Sequence, residues 1–169
     1  MRGSTPVGTT TAWDVTRSRS EFLGVAGNRH CRKLGAQVTF RILTVCTGNI
    51  CRSPLAEQLL RDRLQHIPGL VVTSAGTGAL VGAAMPAQAS ALSRKNGVTD
   101  ADRHRARQLQ PSYIQEADLV LGLAVEHKKK ILDEAPAGVR RTITIRELAR
   151  ATAAVSEEDL IAAEEGLGG

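Results

Sequence analysis

The sequence predicts an α/β fold in which a four-stranded parallel sheet lies between layers of helices. Three observations support this prediction. Apolar runs alternate with helical stretches along the chain, the first apolar run suits a strand buried on both faces, and a tight turn joins that run to a helix. Alternating strands and helices favour right-handed crossovers and parallel strands. The expected architecture is therefore a three-layer, doubly wound (Rossmann-like) domain.

The predicted elements run from residue 40 to residue 145. In the first helix, four leucines form one apolar stripe, and a Ser-Pro pair suits a helix start. The second helix is closed by Gly97. The strands are FRILTVC (40–46), a run from about 70 to 74, ADLVLGL (117–123) and RRTITI (140–145); the helices are SPLAEQLLRDRL (53–64, with Leu55, Leu59, Leu60 and Leu64), 87–96 and VEHKKKILDEA (125–135).

The composition is that of one globular domain. The chain has 169 residues, of which 42% are hydrophobic and 23% charged, enough for a sizeable core. Aromatic residues make up only 2%, so a stacking surface for single-stranded nucleic acid is not expected. The sequence has neither an apolar run long enough to cross a membrane nor the apolar core of a secretory signal. We therefore expect a cytoplasmic protein with no nucleic-acid or membrane partner.

Residues 1–39 differ from the rest of the chain. They are rich in Gly, Ser, Thr and Arg, and they hold six basic and two acidic residues. The formal net charge of +5 falls to +1 without them, so the basic balance is not a nucleic-acid footprint. The prediction for this segment is a disordered extension. An organellar transit peptide and a start codon placed too far upstream remain alternatives.

The end of the chain also changes character. Residues 151–169 carry five acidic residues, no basic residue and no strand pattern. Ser156 followed by Asp159 predicts a capping box for one short helix that ends at Gly166. The predicted domain is therefore 40–150, followed by an acidic tail that is either a minor addition or the truncated or frame-altered end of a longer enzyme.

The segment CTGNICRSP, residues 46–54, is the strongest chemical signal. It follows a predicted strand and opens a helix, the position where α/β proteins bind anions with backbone N–H groups. A thiol there, near Arg52, is favoured as a thiolate nucleophile. The five residues between Cys46 and Arg52 are enough to wrap around a tetrahedral oxyanion, and the planar guanidinium can hold two of its oxygens.

Gly48 and Asn49 agree with this interpretation, because both residue types tolerate the positive φ that a tightly curled loop needs. The loop has two other interpretations. A nucleotide-binding Walker A loop requires a Gly-Lys-Ser/Thr ending that is missing here. The plain structural alternative makes Cys46 a small buried apolar residue and Arg52 a surface cation. The three cysteines, which include Cys31, match neither zinc-type pairs nor a secreted disulfide framework.

The string VCTGNICRSPLAE resembles the active-site signature of the low-molecular-weight protein tyrosine phosphatases. TSAGT, HRARQL and ADLVL with a later EH follow in the order typical of that family, over about residues 41–150. The resemblance implies hydrolysis of a phosphotyrosine protein or small aryl phosphate through a cysteinyl-phosphate intermediate, with no cofactor and no metal. It identifies neither the natural substrate nor the oligomeric state.

The resemblance also implies roles for individual residues. Cys46 attacks phosphorus, and Ser53 hydrogen-bonds the thiolate and helps it leave. Asn49 is held in a strained conformation by Ser53, Ser74 and His104, although ordinary turn capping remains an alternative for the last two. The phosphoryl oxygens are expected to bind Thr47, Gly48, Asn49, Ile50, Cys51 and Arg52.

Several neighbouring features have weaker interpretations. The resemblance implies that Cys51 can pair with Cys46 and protect it from over-oxidation, and the alternative is a small residue that packs the loop. The run HKKK, residues 127–130, is predicted to be a solvated helix face, with docking of an acidic substrate as the alternative. Asp118 is predicted to be structural. Arg105 and Arg107 are predicted to line or brace the cleft.

One expected residue is missing. The family supplies an Asp, in an Asp-Pro pair well after the fourth strand, that protonates the leaving oxygen. This chain has no Asp-Pro, and Asp159 is its only Asp after Arg150. The general acid is therefore unassigned, with Glu157, Glu158 and Asp159 as weak substitutes. Because general acid catalysis contributes about 10²- to 10⁴-fold, slow turnover of peptide phosphotyrosine is predicted.

Two rival functions follow from the same residues. A phosphate- or phosphotyrosine-binding module would keep Cys46 and Arg52 without turnover, and the missing acid favours it. An arsenate reductase of the same fold would need further cysteines, and none follows Cys51.

Overall fold

The computed structural model describes residues 39–166, so the predicted N-terminal extension lies outside the described residues. The strands are Phe40–Cys46 (β1), Leu70–Gly76 (β2), Leu119–Gly122 (β3) and Thr142–Thr144 (β4). The helices are Arg52–Arg63 (α1), Ala87–Lys95 (α2), Pro111–Glu116 (α3), Val125–Glu134 (α4), Ile145–Ala154 (α5) and Glu157–Gly166 (α6), with 3₁₀ turns at Ala101–Arg103 and Pro136–Arg141.

The four strands form one sheet in the order β2-β1-β3-β4, and every neighbouring pair is parallel. This confirms the predicted α/β fold. β1 is central and pairs with β2 along its whole length, from Phe40 opposite Leu70 to Cys46 opposite Gly76. Because parallel strands end at the same edge of a sheet, the segments that follow β1, β2 and β3 meet at that edge.

The first strand is buried on both faces from Ile42 to Cys46, as predicted, whereas Phe40 and Arg41 at its start are exposed. Leu43 and Val45 join one apolar cluster, while Ile42 joins a second. Successive side chains of a strand point to opposite faces, so the two clusters cover opposite sides of the sheet. The carboxyl end of β1 is thereby fixed between two packed layers.

Helix α1 differs from its prediction in the face that it buries. The predicted leucine stripe is only partly buried, and the fully buried positions are Ser53, Pro54 and Gln58. Gln58 accepts a hydrogen bond from Ser93 Oγ at 2.5 Å and donates to Ala101 O at 3.3 Å. The helix therefore presents a polar side to α2 and to the first 3₁₀ turn. Helical spacing identified α1 correctly but did not identify its buried face.

The predicted domain boundary at residue 150 falls inside a helix. α5 spans Ile145–Ala154 and begins with a capping box, in which Thr144 Oγ1 accepts from Glu147 N and Glu147 accepts from Thr144 N. Ile145, predicted to end the fourth strand, is the first residue of this helix.

The short helix predicted for the tail is present as α6, with hydrogen bonds between Ser156 and Asp159 at its start. Within residues 39–166, no helix is long and apolar enough to span a membrane.

Asp118 has the structural role that was predicted. Its Oδ2 accepts from Arg41 N at 2.8 Å, and its own N–H donates to Arg41 O at 2.9 Å. These two bonds align the start of β3 with the start of β1.

Candidate active site

Residues 47–51 form a loop between β1 and α1, and backbone hydrogen bonds from the segment after β2 hold it. Thr77 N donates to Cys46 O at 2.9 Å, Gly78 N to Thr47 O at 3.0 Å, and Leu80 N to Gly48 O at 3.1 Å. With these carbonyls turned toward the neighbouring segment, no N–H group from Thr47 to Arg52 donates a backbone hydrogen bond within the described part of the chain. Such a run of free amides at a helix N-terminus is typical of an anion-binding loop.

Gly76 lets the loop approach β2. A Cβ atom at this position would lie 2.4 Å from Thr47 O and 3.0 Å from Asn49 Cβ. Both neighbours belong to the tightly held loop, and the carbonyl is backbone that cannot move aside. A side chain at residue 76 would therefore displace the loop from the sheet edge.

The thiol of Cys46 lies beneath this loop and contacts Ser53. Cys46 is 3% exposed, and its Sγ is 3.0 Å from Ser53 Oγ. Ser53 Oγ accepts from Asn49 Nδ2 at 2.9 Å, and its own proton has two acceptors in reach, the sulfur at 3.0 Å and Ala75 O at the longer distance of 3.4 Å. The sulfur thus has the Ser53 hydroxyl, one residue into α1, as its hydrogen-bond partner.

Asn49 is the best-supported residue of the loop. Its φ of 52° lies in the left-handed region, which costs a non-glycine residue roughly 1 kcal/mol. The side chain is fully buried, and Nδ2 also donates to Ser74 Oγ at 2.9 Å, while Oδ1 accepts from Arg107 N at 2.8 Å. Its carbonyl accepts from His104 Nε2 at 2.6 Å. These contacts bring together the four residues that the family resemblance linked.

A second layer of polar contacts supports this network. Ser74 Oγ donates to Glu57 Oε2 at 2.5 Å, and Arg107 Nε donates to Ser74 O at 2.6 Å. The Arg107 guanidinium lies 4.6 Å from the centre of the Tyr113 ring. Arg107 therefore braces the loop, whereas the exposed Arg105 bonds to nearby backbone carbonyls. Glu57 was missed, since on the helix pattern it is an ordinary charged position.

Arg52 begins α1 with its side chain exposed. Its guanidinium has no hydrogen-bond or ion-pair partner among the residues that the structure describes. A cation without a protein partner next to a row of free amides makes the loop electropositive. The guanidinium is thus free to bind an anionic ligand in bidentate geometry.

The prediction for residues 127–130 was wrong for its first member. Lys129 and Lys130 are exposed, but His127 is only 1% exposed, and its Nε2 lies 3.1 Å from Thr47 Oγ1. Burial lowers the pKa of His127, and the charge of Arg52 lowers it further. The sequence does contain a pattern that indicates the burial of His127. His127 and the fully buried Ile131 are four residues apart and therefore lie on one face of α4.

Cys51 and Cys46 are both free thiols in different settings. Cys51 is exposed in the loop, whereas Cys46 is buried. The alternative in which Cys51 packs the loop interior is therefore not supported, and the protective pairing with Cys46 stays a prediction.

No carboxylate among the described side chains hydrogen-bonds to Cys46 or Arg52. Asp159 caps α6 instead, with Oδ2 accepting from Ser156 N at 2.9 Å and from Ser156 Oγ at 2.7 Å. These bonds lower the pKa of Asp159 and favour its ionised form, which cannot donate a proton. Glu158 is exposed, and the side chain of Glu157 lies outside the description. The general acid remains unassigned.

The loop lies within the part of the chain that matches a known protein family. The family model for low molecular weight phosphotyrosine protein phosphatases matches residues 41–160. The probable low molecular weight protein-tyrosine-phosphatase EpsP of Ralstonia nicotianae is 45% identical over 96 residues, which cover 57% of this chain and 63% of EpsP. The protein-arginine-phosphatase of Geobacillus stearothermophilus is 36% identical over 113 residues, covering 67% of this chain and 74% of that protein.

Solved structures have the same fold. The tyrosine phosphatase Wzb from Escherichia coli K30, in complex with sulphate, superimposes with a TM-score of 0.57 at 36% identity and covers 63% of this chain and 72% of Wzb. The chain spans less than two thirds of the length of EpsP. The family match covers most of the chain and includes the entire loop. The chain therefore belongs to the low molecular weight phosphotyrosine protein phosphatase family.

Proposed function

We propose that this chain hydrolyses phosphate monoesters, of protein tyrosine or of small aryl groups, through a phosphorylated Cys46. One observation carries the proposal. The Cys46 thiol, 3.0 Å from the Ser53 hydroxyl, lies under a loop whose amides and guanidinium have no anionic partner within the described residues. A nucleophile and a phosphate-sized oxyanion site are thus supplied by the same loop.

In the first step, the Cys46 thiolate attacks phosphorus. The S–P bond forms as the P–O ester bond breaks, and the leaving oxygen takes the electron pair. The amides from Thr47 to Arg52 and the Arg52 guanidinium bind the three equatorial oxygens, whose charge spreads in the transition state. Because the Asn49 contacts fix the loop in advance, little reorganisation is required when the phosphoryl group is transferred.

In the second step, water attacks the phosphorylated Cys46. The S–P bond breaks, inorganic phosphate forms, and the thiolate is restored. Ser53 can donate its hydroxyl proton to the departing sulfur as a hydrogen bond, because the sulfur, at 3.0 Å, is nearer than the other acceptor, Ala75 O at 3.4 Å, and gains negative charge as it leaves. The Ser53 hydroxyl thus supports the thiolate as nucleophile and as leaving group.

The leaving oxygen of the first step needs a proton, and no carboxyl among the described side chains hydrogen-bonds to Cys46 or Arg52. We propose that turnover therefore depends on how well the leaving group departs as an anion. Activated aryl phosphates are expected to react readily, while peptide phosphotyrosine loses a factor of about 10² to 10⁴. The ionised, helix-capping Asp159 supports this reading.

A second substrate class is phosphoarginine. The arginine phosphatase relative is 36% identical over two thirds of this chain, a similarity comparable with that to the tyrosine phosphatases. The same loop would hold the phosphoryl group whether it is bonded to oxygen or to nitrogen.

The free Cys46 and Cys51 thiols fit a reducing compartment, so we propose the cytoplasm as the site of action.

Acid quenching during turnover of para-nitrophenyl phosphate tests the proposal. Mass spectrometry of the quenched protein should show one phosphoryl group on the peptide containing Cys46. The Cys46→Ala variant should show neither the adduct nor release of para-nitrophenol. Phosphotyrosine and phosphoarginine peptides, compared at equal concentration, identify the preferred substrate. Folded protein that binds phosphate but forms no adduct and releases no product would instead be a binding module.

A further inference from the structure

His127 lies under the first residue of the phosphate loop, at a point that the Asn49 contacts do not reach. It belongs to the first turn of α4, where its N–H donates to Ala124 O at 3.2 Å. Gly122 allows this turn to lie against the end of β3, because a Cβ there would be 3.0 Å from Lys128 N and 3.3 Å from Ala124 O. The close approach of α4 brings His127 to the sheet edge where β1 ends.

The contact between His127 and Thr47 has a defined polarity. Nε2 is 3.1 Å from Thr47 Oγ1, and Nδ1 has no hydrogen-bond partner within residues 39–166. A proton on Nδ1 would be a buried donor without an acceptor, which folded proteins avoid. With the proton on Nε2, the imidazole donates to Thr47 and leaves only a bare nitrogen lone pair at Nδ1. The lowered pKa of His127 is consistent with this neutral form.

Thr47 is consequently held at two points despite its exposure. Its carbonyl accepts from Gly78 N at 3.0 Å. Its side-chain oxygen lies 3.1 Å from His127 Nε2 and accepts from it in the tautomer that carries the proton on Nε2. Because Thr47 directly follows Cys46, its N–H is the first of the amides assigned to the phosphoryl oxygens. Without the histidine, Thr47 would lose its side-chain contact and keep two backbone bonds, one from Gly78 N to its own carbonyl and one from Thr77 N to Cys46 O, the carbonyl of the peptide that carries its N–H.

We propose that His127 is a positioning residue for phosphate binding, acting through Thr47 to fix the start of the loop. The loop is then braced on both sides, at its start by His127 and at its centre by the network around Asn49. This inference rests on the proposed function of the same site and deepens it. It makes the side-chain hydroxyl of Thr47 the link between α4 and the loop.

A double-mutant cycle measured by phosphate binding tests this link. The variants are His127→Leu, Thr47→Val and the double variant, with the exposed Lys129→Gln on the same helix as control. The readout is the dissociation constant for inorganic phosphate from calorimetry, which requires no turnover. Each single variant should weaken binding about tenfold, and the double variant should lose little more than either alone. His127→Gln, which can place an amide N–H near the position of Nε2, should recover most of the loss.

Two results would overturn the inference: unchanged phosphate affinity in His127→Leu, or losses that add in the double variant. If His127→Leu does not fold, Thr47→Val removes the same hydrogen bond from an exposed residue, and full phosphate affinity in it would equally overturn the inference. A parent chain that binds phosphate without hydrolysing para-nitrophenyl phosphate would defeat the proposed function alone. If the parent hydrolyses the ester and His127→Leu binds phosphate as tightly as the parent, the role of His127 alone would be defeated.

Discussion

The phosphate loop and the C-terminal helices are held in different ways. Asn49 bonds to Ser74 and Arg107, which are 25 and 58 residues away in sequence, so the loop is fixed only once the sheet has formed. The starts of α5 and α6 are fixed by capping boxes that join residues three positions apart. The nucleophile therefore lies in a tertiary framework, while the region where the family places its acid is organised locally.

Burial follows the same division. Asn49 and Ser53 are fully buried within the network around the loop. In contrast, α5 buries no residue completely, and every described side chain of α6 is exposed. The difference teaches that this chain is preorganised for attack on phosphorus and for binding its oxygens. The described residues of α5 and α6, where the family would place its acid, form no comparable buried network.

Replacing Arg52 by Lys should have the largest effect on the loop side of this comparison. Lys keeps the charge but loses the planar fork, so kcat/KM for para-nitrophenyl phosphate should fall by about 10²- to 10³-fold. Steady-state kinetics measure the loss. The control is Arg146→Lys, an exposed position on α5, which should leave kcat/KM unchanged. Similar activity in Arg52→Lys and the parent would mean that the guanidinium does not bind the phosphoryl group in two-point geometry.

Asn49→Ala should have the next largest effect, because it removes hydrogen bonds that hold the loop in place rather than groups that contact the ligand. Alanine retains the strained φ of 52° but loses the side-chain bonds to Ser53, Ser74 and Arg107. A loss of about 10- to 100-fold in phosphate affinity and in kcat is expected. Asn96→Ala, at the exposed end of α2, is the matched control. If both variants behaved like the parent, the loop would not depend on its tertiary contacts.

The smallest effect should come from the local side of the comparison, at Glu147. Its bond from Thr144 N, its bond from Lys128 and its place in the capping box lower the pKa of this carboxyl to about 2. A carboxyl with a lowered pKa stabilises the fold at neutral pH, and this contribution is lost as pH falls from about 4.5 toward 2. Glu147→Gln should therefore lower the melting temperature slightly at pH 7, with activity on para-nitrophenyl phosphate retained.

Melting curves of the parent and of Glu147→Gln, recorded from neutral to acid pH, check this. The gap between the two melting temperatures should be constant at neutral pH and should shrink as pH falls from about 4.5 toward 2, because the Glu147 carboxyl becomes protonated over this range. A gap that persists at the lowest pH would assign the effect to side-chain shape rather than to charge.

The sequence predicted the sheet and the loop because both are encoded locally. β1 is a continuous apolar run, and Cys46, Arg52 and Ser53 follow it at fixed spacing. The contacts of Ser74 and His104 came from the family resemblance, because no local pattern brings residues so far apart in sequence together. Periodicity located α1 but not its buried face, which is polar because it meets the network and α2.

The missed features have equally specific causes. The run of lysines after His127 indicated a solvated helix face. The His127 imidazole is nevertheless buried, whereas Lys129 and Lys130 are exposed. The start of α5 was not predicted because Ile145 continues the alternating apolar pattern of β4 and was assigned to that strand. The capping-box spacing of Thr144 and Glu147 does indicate a helix start in the sequence. In both cases a charge or strand pattern masked a helical spacing of three or four residues.

The most direct test of an intact nucleophile without a general acid is the dependence of kcat/KM on the leaving group. A series of aryl phosphates with phenols of increasing pKa, from para-nitrophenol to phenol and phosphotyrosine peptide, should be compared for the parent and for Asp159→Asn. We expect kcat/KM to decline steeply along the series, and to the same extent in the parent and in Asp159→Asn, if no described carboxyl protonates the leaving oxygen. A flat dependence in the parent would contradict this expectation, and a slope that steepens in Asp159→Asn would identify that residue as the acid.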